Sequence, residues 1–292
     1  MKPSVCVLLC TYNGEKYLKE QLDSVFAQKD VDVTILAHDD GSSDGTLEIL
    51  NEYGIKVIGD EHYGPAHGFM YLMQNAPESE YYAFCDQDDV WDVDKLSIAI
   101  NAIKKYKTPA LYYSGQRLVD EKLNFIEDHT LNKDRNLRTR FVLSDFAGCT
   151  GVFNKKLIEE VIRFEPKYVL MHDTWILRVC LCLGGNVVVD SEPRMNYRQH
   201  SGNTVGLGHS FKSTVKQVKQ YLGEYKVEQV TRELVKGYGE RMVPEYKEVC
   251  DWICGYKSNK KYRRNLLDKN NVDFCKSGLN ITYWIKVNLH RL

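Results

Sequence analysis

Residues 86–94 read DQDDVWDVD, so that Asp86, Asp88, Asp89, Asp92 and Asp94 crowd into nine positions directly after the aromatic run YYAFC. Carboxylates this close repel one another unless something neutralises them. A hard divalent cation is the usual neutraliser, and Mg²⁺ typically brings phosphate oxygens with it. An acidic helix start explains Asp92 and Asp94, which precede KLSIAINAIKKY, because Asp suits caps and first turns. It explains Asp86 and Asp88 poorly, since they come too early. A short D-x-D also arises by chance, so the residues alone leave both readings open. A second cluster, DDGSSDGT at 39–46, could be a strand–turn–helix joint with Ser42 or Ser43 as cap. That accounts for its Gly and Ser but not for adjacent Asp39 and Asp40. An ionised carboxylate only accepts, so one at a strand end can take the imide N–H of uracil or thymine. Neither Gly-rich stretch matches a P-loop or G-x-G-x-x-G, which disfavours ATP-type and NAD-type cradles.

Positioning these clusters falls to alternating strands and helices. SVCVLLCTY is a continuous apolar run, as in parallel strands covered on both faces. EKYLKEQLDSVFAQ then puts Tyr17, Leu18, Leu22, Val25 and Phe26 on one helical face. DVTILAHDD reads as strand, DGTLEILNEYG as helix, IKVIGD as strand, GPAHGFMYLMQNA as helix and YYAFCD as the fourth strand. The repetition predicts an α/β, doubly wound sheet with ligands at the carboxyl ends of its strands. TYNGE, DDGSSDGT and DQDD all fall at such ends, a coincidence that strengthens the metal reading of Asp86 and Asp88. From about residue 110 the pattern turns mixed: a hairpin over 110–128 turning at 120–122, helices within 137–162 and 171–184, and a strand NVVVDSE. After Gly208 the chain reads as helical and amphipathic to about Ile253.

The chain has 292 residues, 43% hydrophobic and 27% charged, with a net charge of −1. That composition is ordinary for a globular protein and gives no pull toward nucleic acid. Nine scattered cysteines, without paired C-x₂-C spacing, predict buried free thiols rather than disulfides or structural zinc. No signal peptide and no 18-residue apolar window is visible, so a cytoplasmic protein is expected.

VLLCTYNGEKYLKEQLDSVFAQ, DDGSSDGT, CDQDDVW and MHDTWI…YRQHSGN, in this order over about residues 3–207, resemble family 2 glycosyltransferases of the GT-A fold. The subgroup they are most similar to is the rhamnosyltransferase-like enzymes of bacterial surface-polysaccharide assembly. The resemblance implies an inverting, single-sugar transfer from a UDP- or dTDP-sugar to a glycan or lipid-linked acceptor, with Mg²⁺ or Mn²⁺. It puts Thr11, Tyr12 and Glu15 beside the nucleotide and Asp40 on the pyrimidine with Asp39 nearby. It makes Asp86 and Asp88 the D-x-D pair, Asp88 nearer the metal, and Asp173 the general base. Gly148, Cys149 and Thr150 are implied at the sugar or acceptor, Arg198 at the diphosphate, and His200 at the metal. The pattern departs from the family's at His172-Asp173, where many members carry Glu-Asp; His172 either tunes that carboxylate or packs at a helix start. Q-x-x-R-W of processive synthases is absent and YRQH stands in its neighbourhood.

The implied organisation is a catalytic domain over 1–208, with 1–100 as nucleotide half and 101–208 as acceptor half, and a helical, basic extension over 209–292. Residues 251–292 hold nine Lys/Arg against three Asp/Glu, with Trp284, Ile285 and Val287 among them. A solvated face is the common fate of such runs. A peripheral hold on the inner face of an anionic membrane, where a lipid-linked acceptor would sit, is the functional alternative; packing on the catalytic domain or a homodimer contact is the rival. A non-catalytic nucleotide-sugar-binding protein on the same fold would be expected to lack Asp86, Asp88 or Asp173. A sugar nucleotidyltransferase would need a Gly-rich, basic N-terminal loop that is absent here.

Overall fold

A computed structural model of the protein describes residues 1–200 and 226–292. In order the elements are β1 (Ser4–Thr11), α1 (Leu18–Phe26), β2 (Asp32–Asp39), α2 (Thr46–Glu52), β3 (Lys56–Val57), α3 (Gly64–Asn75), β4 (Tyr81–Cys85), β5 (Val90–Trp91) and α4 (Lys95–Ile103). There follow β6 (Ala110–Val119), β7 (Phe125–His129), α5 (Leu137–Val142), a 3₁₀ turn (Gly148–Thr150), β8 (Val152–Asn154), α6 (Lys155–Val161), α7 (His172–Cys182) and β9 (Asn186–Arg198). Beyond residue 225 come α8 (Val227–Tyr238), α9 (Pro244–Gly255), α10 (Lys260–Leu267) and α11 (Ser277–Asn288).

β1 decides the layering. Val5, Val7 and Leu9 join one core cluster and Cys6 and Leu8 the other, all fully buried, because successive strand residues face opposite sides. The first cluster takes Leu18, Leu22 and Val25 of α1 and Leu96, Ile100 and Ile103 of α4. The second takes Phe69 and Leu72 of α3 and Trp175, Val179 and Cys182 of α7. Phe26, expected on the buried face of α1, is exposed and stacks on Tyr53 instead.

The sheet runs β3-β2-β1-β4-β8-β6-β9-β5, with β7 paired to β6. β1 pairs in parallel with both β2 and β4, and the register sets Thr11 beside Asp39 and Leu9 beside Cys85. The three polar loops therefore leave the same edge of the sheet, as expected. IKVIGD contributes only the two residues of β3. β5 is an addition to the sequence reading: after the acidic loop, Val90 and Trp91 pair antiparallel with Asn196 and Met195, which buries Trp91. NVVVDSE extends to the thirteen residues of β9 because β6 accommodates it with register shifts around Gly115. A Cβ on Gly115 would lie 2.6 Å from the Ser191 carbonyl oxygen, so only glycine allows that approach.

All nine cysteines are free thiols, most of them buried. No helix among the described residues is long and apolar enough to cross a membrane. The boundary at 208 and the stretch 209–225 lie outside the described residues; from 226 onward the expected helices are present. They do not stand apart: Leu234, Tyr238, Ile253, Tyr256, Leu266, Phe274, Tyr283, Val287 and Leu292 belong to the same cluster as Trp175. Val287, expected to contact a membrane, is fully buried, whereas Ile281, Trp284, Ile285 and Leu289 are exposed.

Ending the chain after Cys250 removes seven of those nine buried side chains from a shared core. Such a truncation is expected to aggregate or to melt far below the full-length protein in a thermal-unfolding measurement. A soluble fragment with an unchanged melting temperature would show that the tail does not support the core.

Candidate active site

The loops after β1 and β2 are stapled together by side chains. Asp39, at the end of β2, accepts from Thr11 Oγ1 at 2.7 Å, Ser42 Oγ at 2.6 Å, and the amides of Gly41 and Ser42 at 3.2 and 2.8 Å. Ser42 Oγ in turn accepts from the Asn13 amide, Thr46 Oγ1 from the Gly14 amide, and Asp44 from the Glu15 amide. Glu15 answers by accepting from the Gly45 amide at 3.0 Å. From the third loop, Gln87 accepts from the Tyr12 amide at 2.8 Å and donates to its carbonyl at 3.0 Å. Thr11 and Asp39 are thus buried tethers, and Glu15 a brace between loops. The half-exposed Tyr12 ring lies edge-on to His62, at 5.6 Å between centroids.

Asp40, expected on a pyrimidine, has its carboxylate turned to the start of α3. It accepts from the amides of Tyr63 and Gly64, and both His38 and His62 lie beside it. Four unsatisfied amides open every helix, and a carboxylate there satisfies some of them and suits the positive helix end.

The D-x-D loop meets residues that lie more than a hundred positions later. His200 Nε2 lies 2.7 Å from Asp88 Oδ2, which brings both expected metal residues together. Arg198 departs from expectation. It is buried, donates from Nε to the Asp88 carbonyl at 2.8 Å and from Nη1 to the Glu121 carbonyl at 2.6 Å, and pairs with Glu20 through Nη2. Its own amide donates to Asp89 Oδ1 at 3.1 Å, and the guanidinium covers the Tyr17 ring. In this conformation Arg198 pins the loop instead of reaching into the cleft.

Asp173 sits in the first turn of α7. Oδ2 accepts from the Gly148 amide at 3.1 Å and Oδ1 from the Thr174 amide. Lost hydration pushes its pKa up to about 6, against the pull of those hydrogen bonds. Asp86 is pushed up to about 7, first by lost hydration and then by the charges of Asp88 and Asp173. Asp86 thus feels the charges of Asp88 and Asp173, and its carboxylate lies within 4.8 Å of Asp89 and the Cys149 thiol. His172 does not tune that carboxylate. Its ring packs between Phe69 and Phe84, at 4.0 and 4.6 Å between centroids, and burial pushes its pKa down to about 3. A Cβ on Gly148 would lie 2.5 Å from His172 Nε2, so the turn needs glycine there. Cys149 and Thr150 are buried, and Thr150 Oγ1 donates to the Ala147 carbonyl. Two groups of this turn reach acids: the Gly148 amide meets Asp173, and Cys149 Sγ lies within 4.8 Å of carboxylate oxygens of Asp86 and Asp89.

The donor set suits a hard divalent cation. Asp88 and His200 converge, Asp86 is short of counter-charge, and Asp89 is fully buried with Oδ2 lacking a hydrogen-bond partner. Lys95, whose ammonium lies near this cluster, escaped the sequence reading because it resembles an ordinary residue of a helix start, and Asp89, counted in the acidic run, has no local mark that sets it apart from its neighbours. Gln87 and Asp44 escaped it, and Ser42, expected as a helix cap, joins Asp39 to the Asn13 amide instead, because a loop's polarity does not say which loop it will meet.

The family described as Glycosyl transferase family 2 matches residues 6–162. The chain belongs to glycosyl transferase family 2. The match covers Asp39, Asp40, Asp86 and Asp88 and ends before Asp173. A dTDP-rhamnosyl transferase of Shigella flexneri, RfbG, is 28% identical over 247 residues, 77% of this chain and 82% of that protein. An uncharacterized glycosyltransferase of Rickettsia typhi, RT0329, is 29% identical over 215 residues, 69% of this chain and 66% of the relative. S. aureus TarS 1–349 in complex with UDP-GlcNAc superposes with a TM-score of 0.59 at 16% identity, covering 98% of this chain and 90% of that one. The mannosyltransferase PcManGT from Pyrobaculum calidifontis, in complex with GDP-Man and Mn²⁺, gives 0.57 at 15% identity, covering 100% and 87%. These likenesses establish the GT-A glycosyltransferase fold with a helical C-terminal region. This family 2 member is therefore a nucleotide-sugar glycosyltransferase.

The raised carboxylates predict a pH signature of the metal-free enzyme. Folded Asp86 keeps its proton up to about pH 7, whereas an unfolded Asp releases its own near 3.9. Between those values the folded state binds more protons, so the contribution of Asp86 is fully present below the lower value and is lost as pH rises to the upper one. In chelator, wild type should lose melting temperature relative to Asp86→Asn across that window and run parallel to it above. Parallel curves throughout would mean that Asp86 titrates normally.

Proposed function

We propose that this enzyme is an inverting, divalent-metal-dependent transferase that moves one sugar, rhamnose or another hexose, from a UDP- or dTDP-sugar to a glycan or lipid-linked acceptor of cell-surface polysaccharide synthesis. The observation that carries the reading is the 2.7 Å meeting of Asp88 with His200 beside a buried Asp86 that feels the charges of both Asp88 and Asp173. The Shigella relative's name supports a dTDP-linked rhamnose donor, and the TarS and PcManGT complexes support a nucleotide-sugar and Mn²⁺ in such a cleft.

Asp88 and His200 would hold Mg²⁺ or Mn²⁺, with Asp86 beside them. Bound there, the ion supplies Lewis-acid stabilisation of the departing nucleoside diphosphate. Asp173 takes the proton of the acceptor hydroxyl as that oxygen bonds to the anomeric carbon and the bond to the diphosphate oxygen breaks on the opposite face. One base and one displacement invert the centre. A pKa of about 6 suits this work: the carboxylate is ionised at neutral pH yet more basic than an exposed one. The Gly148 and Thr174 amides aim its oxygens. Tyr12 and His62 flank the place assigned to the base, next to Asp40.

The membrane contact of residues 251–292 belongs to the same reading. Exposed Ile281, Trp284, Ile285 and Leu289, with exposed Lys260, Lys261, Arg264, Lys276 and Arg291, support a peripheral hold on anionic lipid.

Two outcomes are expected. Stabilisation of the enzyme by UDP or dTDP should vanish in EDTA; equal thermal shifts with and without chelator would remove the metal. Asp173→Asn should bind nucleotide as wild type does and lose about 10²–10⁴-fold in kcat, the usual contribution of a general base. Full turnover in that variant would move the base elsewhere.

A further inference from the structure

Lys95 opens α4, yet none of its surface is exposed. A lysine at an exposed helix start normally reaches into water, and the positive end of a helix is the wrong end for a cation. Burying an ammonium is costly unless partners replace its hydration. Here Nζ donates to the Cys149 carbonyl at 2.6 Å, lies 3.4 Å from the Trp91 ring centroid and rests 3.8 Å from Met195 Sδ. Burial lowers its pKa to about 8, opposed by the thiol and carboxyl groups of Cys149, Cys85, Asp89 and Asp86 around it. No part of the donor, metal or base assignments uses this group.

Its partner gives it a role. Cys149 is the middle residue of the 3₁₀ turn, closed by the Thr150 amide on the Ala147 carbonyl at 2.9 Å and the Gly151 amide on the Gly148 carbonyl at 2.8 Å. The turn's first amide, that of Gly148, is the donor to Asp173 Oδ2. A continuous path thus runs from Lys95 Nζ through the Cys149 carbonyl and the Gly148 amide to the base. The same ammonium sits beneath Asp86 and Asp89 and attenuates their repulsion.

We propose that Lys95 is a positioning residue whose ammonium clamps the Gly148–Thr150 turn through the Cys149 carbonyl and thereby sets Asp173 against the D-x-D carboxylates, a role that rests on the reading of Asp173 as the base. A role as mere core filling would be met equally well by an apolar chain of the same length, and that difference makes the two separable.

Lys95→Met keeps the stem and deletes the charge; Lys95→Gln restores a neutral donor. For Lys95→Met, the affinity for dTDP or UDP with Mn²⁺, measured by calorimetry, should stay within about twofold, because no ground-state donor contact is removed. Release of nucleoside diphosphate from dTDP-rhamnose or UDP-GlcNAc should fall about 10–100-fold, as expected when a reacting group is misplaced. Amide hydrogen exchange of residues 147–151 should quicken while that of β1 and β2 stays unchanged, and Lys95→Gln should recover part of both effects. Wild-type exchange at 147–151 together with unchanged turnover in Lys95→Met would overturn the proposal. So would equal losses of turnover and nucleotide affinity. If Lys95→Met fails to fold, Lys95→Leu, which also deletes the donor, takes its place in the same measurements, and the same results support or overturn the clamp. Asp173→Asn in parallel separates the two assignments: full activity there with quickened exchange in Lys95→Met moves the base and leaves the clamp. Inactive Asp173→Asn with fully active Lys95→Met removes the clamp alone. A wild type inactive on both donors counts against the donor assignment, and exchange at 147–151 then decides for Lys95.

Discussion

Mutual repulsion of carboxylates is the constraint around which this site is built. Asp86, Asp88 and Asp89 leave β4 together, and Asp173 arrives from α7. In a cleft shut off from water such charges cannot all ionise without counter-charge: lost hydration raises both Asp173 and Asp86, and the neighbouring charges raise Asp86 further. Everything nearby answers to it. Lys95 lends its charge to the cluster, the Arg198 guanidinium holds the Asp88 carbonyl, and His200 touches the Asp88 carboxylate. What remains uncompensated is what a divalent cation and its diphosphate would supply.

The second half of the cleft is assembled by a different means, hydrogen bonds between loops. Asn13, Gly14 and Glu15 exchange amides and side chains with Ser42, Asp44, Gly45 and Thr46, and Gln87 ties Tyr12 to the acidic loop. Asp39 spends its acceptor capacity inside this net and Asp40 on the first amides of α3. Two adjacent aspartates at one strand end therefore do separate structural work, and any contact with a nucleotide adds to that. Pre-set loops of this kind lower the ordering cost of binding.

The C-terminal helices enlarge the core on the α7 side. Leu234, Tyr238 and Ile253 pack with Trp175 and Val179, so the element that carries Asp173 is held on one flank by chain that follows it by more than fifty residues. Most of the basic residues of the last forty positions remain at the surface, though Lys286 is buried, while their apolar residues divide between the core and an exposed row on α11.

Local sequence determined much of this protein. Continuous apolar runs specified parallel strands covered on both faces, their ends specified where polar loops gather, and the spacing of Asp86 and Asp88 identified the acidic loop. Those features are set by residues within a few positions of one another, which is why they could be read without the fold. Tertiary structure alone decided the partners. Arg198 meets Asp88 across 110 positions, His200 meets it across 112, and Lys95 reaches Cys149 across 54. No periodicity encodes such a meeting, and each side chain looks locally like an ordinary solvated cation. The same holds for His172, which adjoins Asp173 in sequence and packs between Phe69 and Phe84 instead, and for Val287, which an exposed helix would present to water and this fold buries. Burial and hydrogen-bond direction are properties of the packed chain, and they decide which of these polar residues become tethers between loops and which are walled into the core.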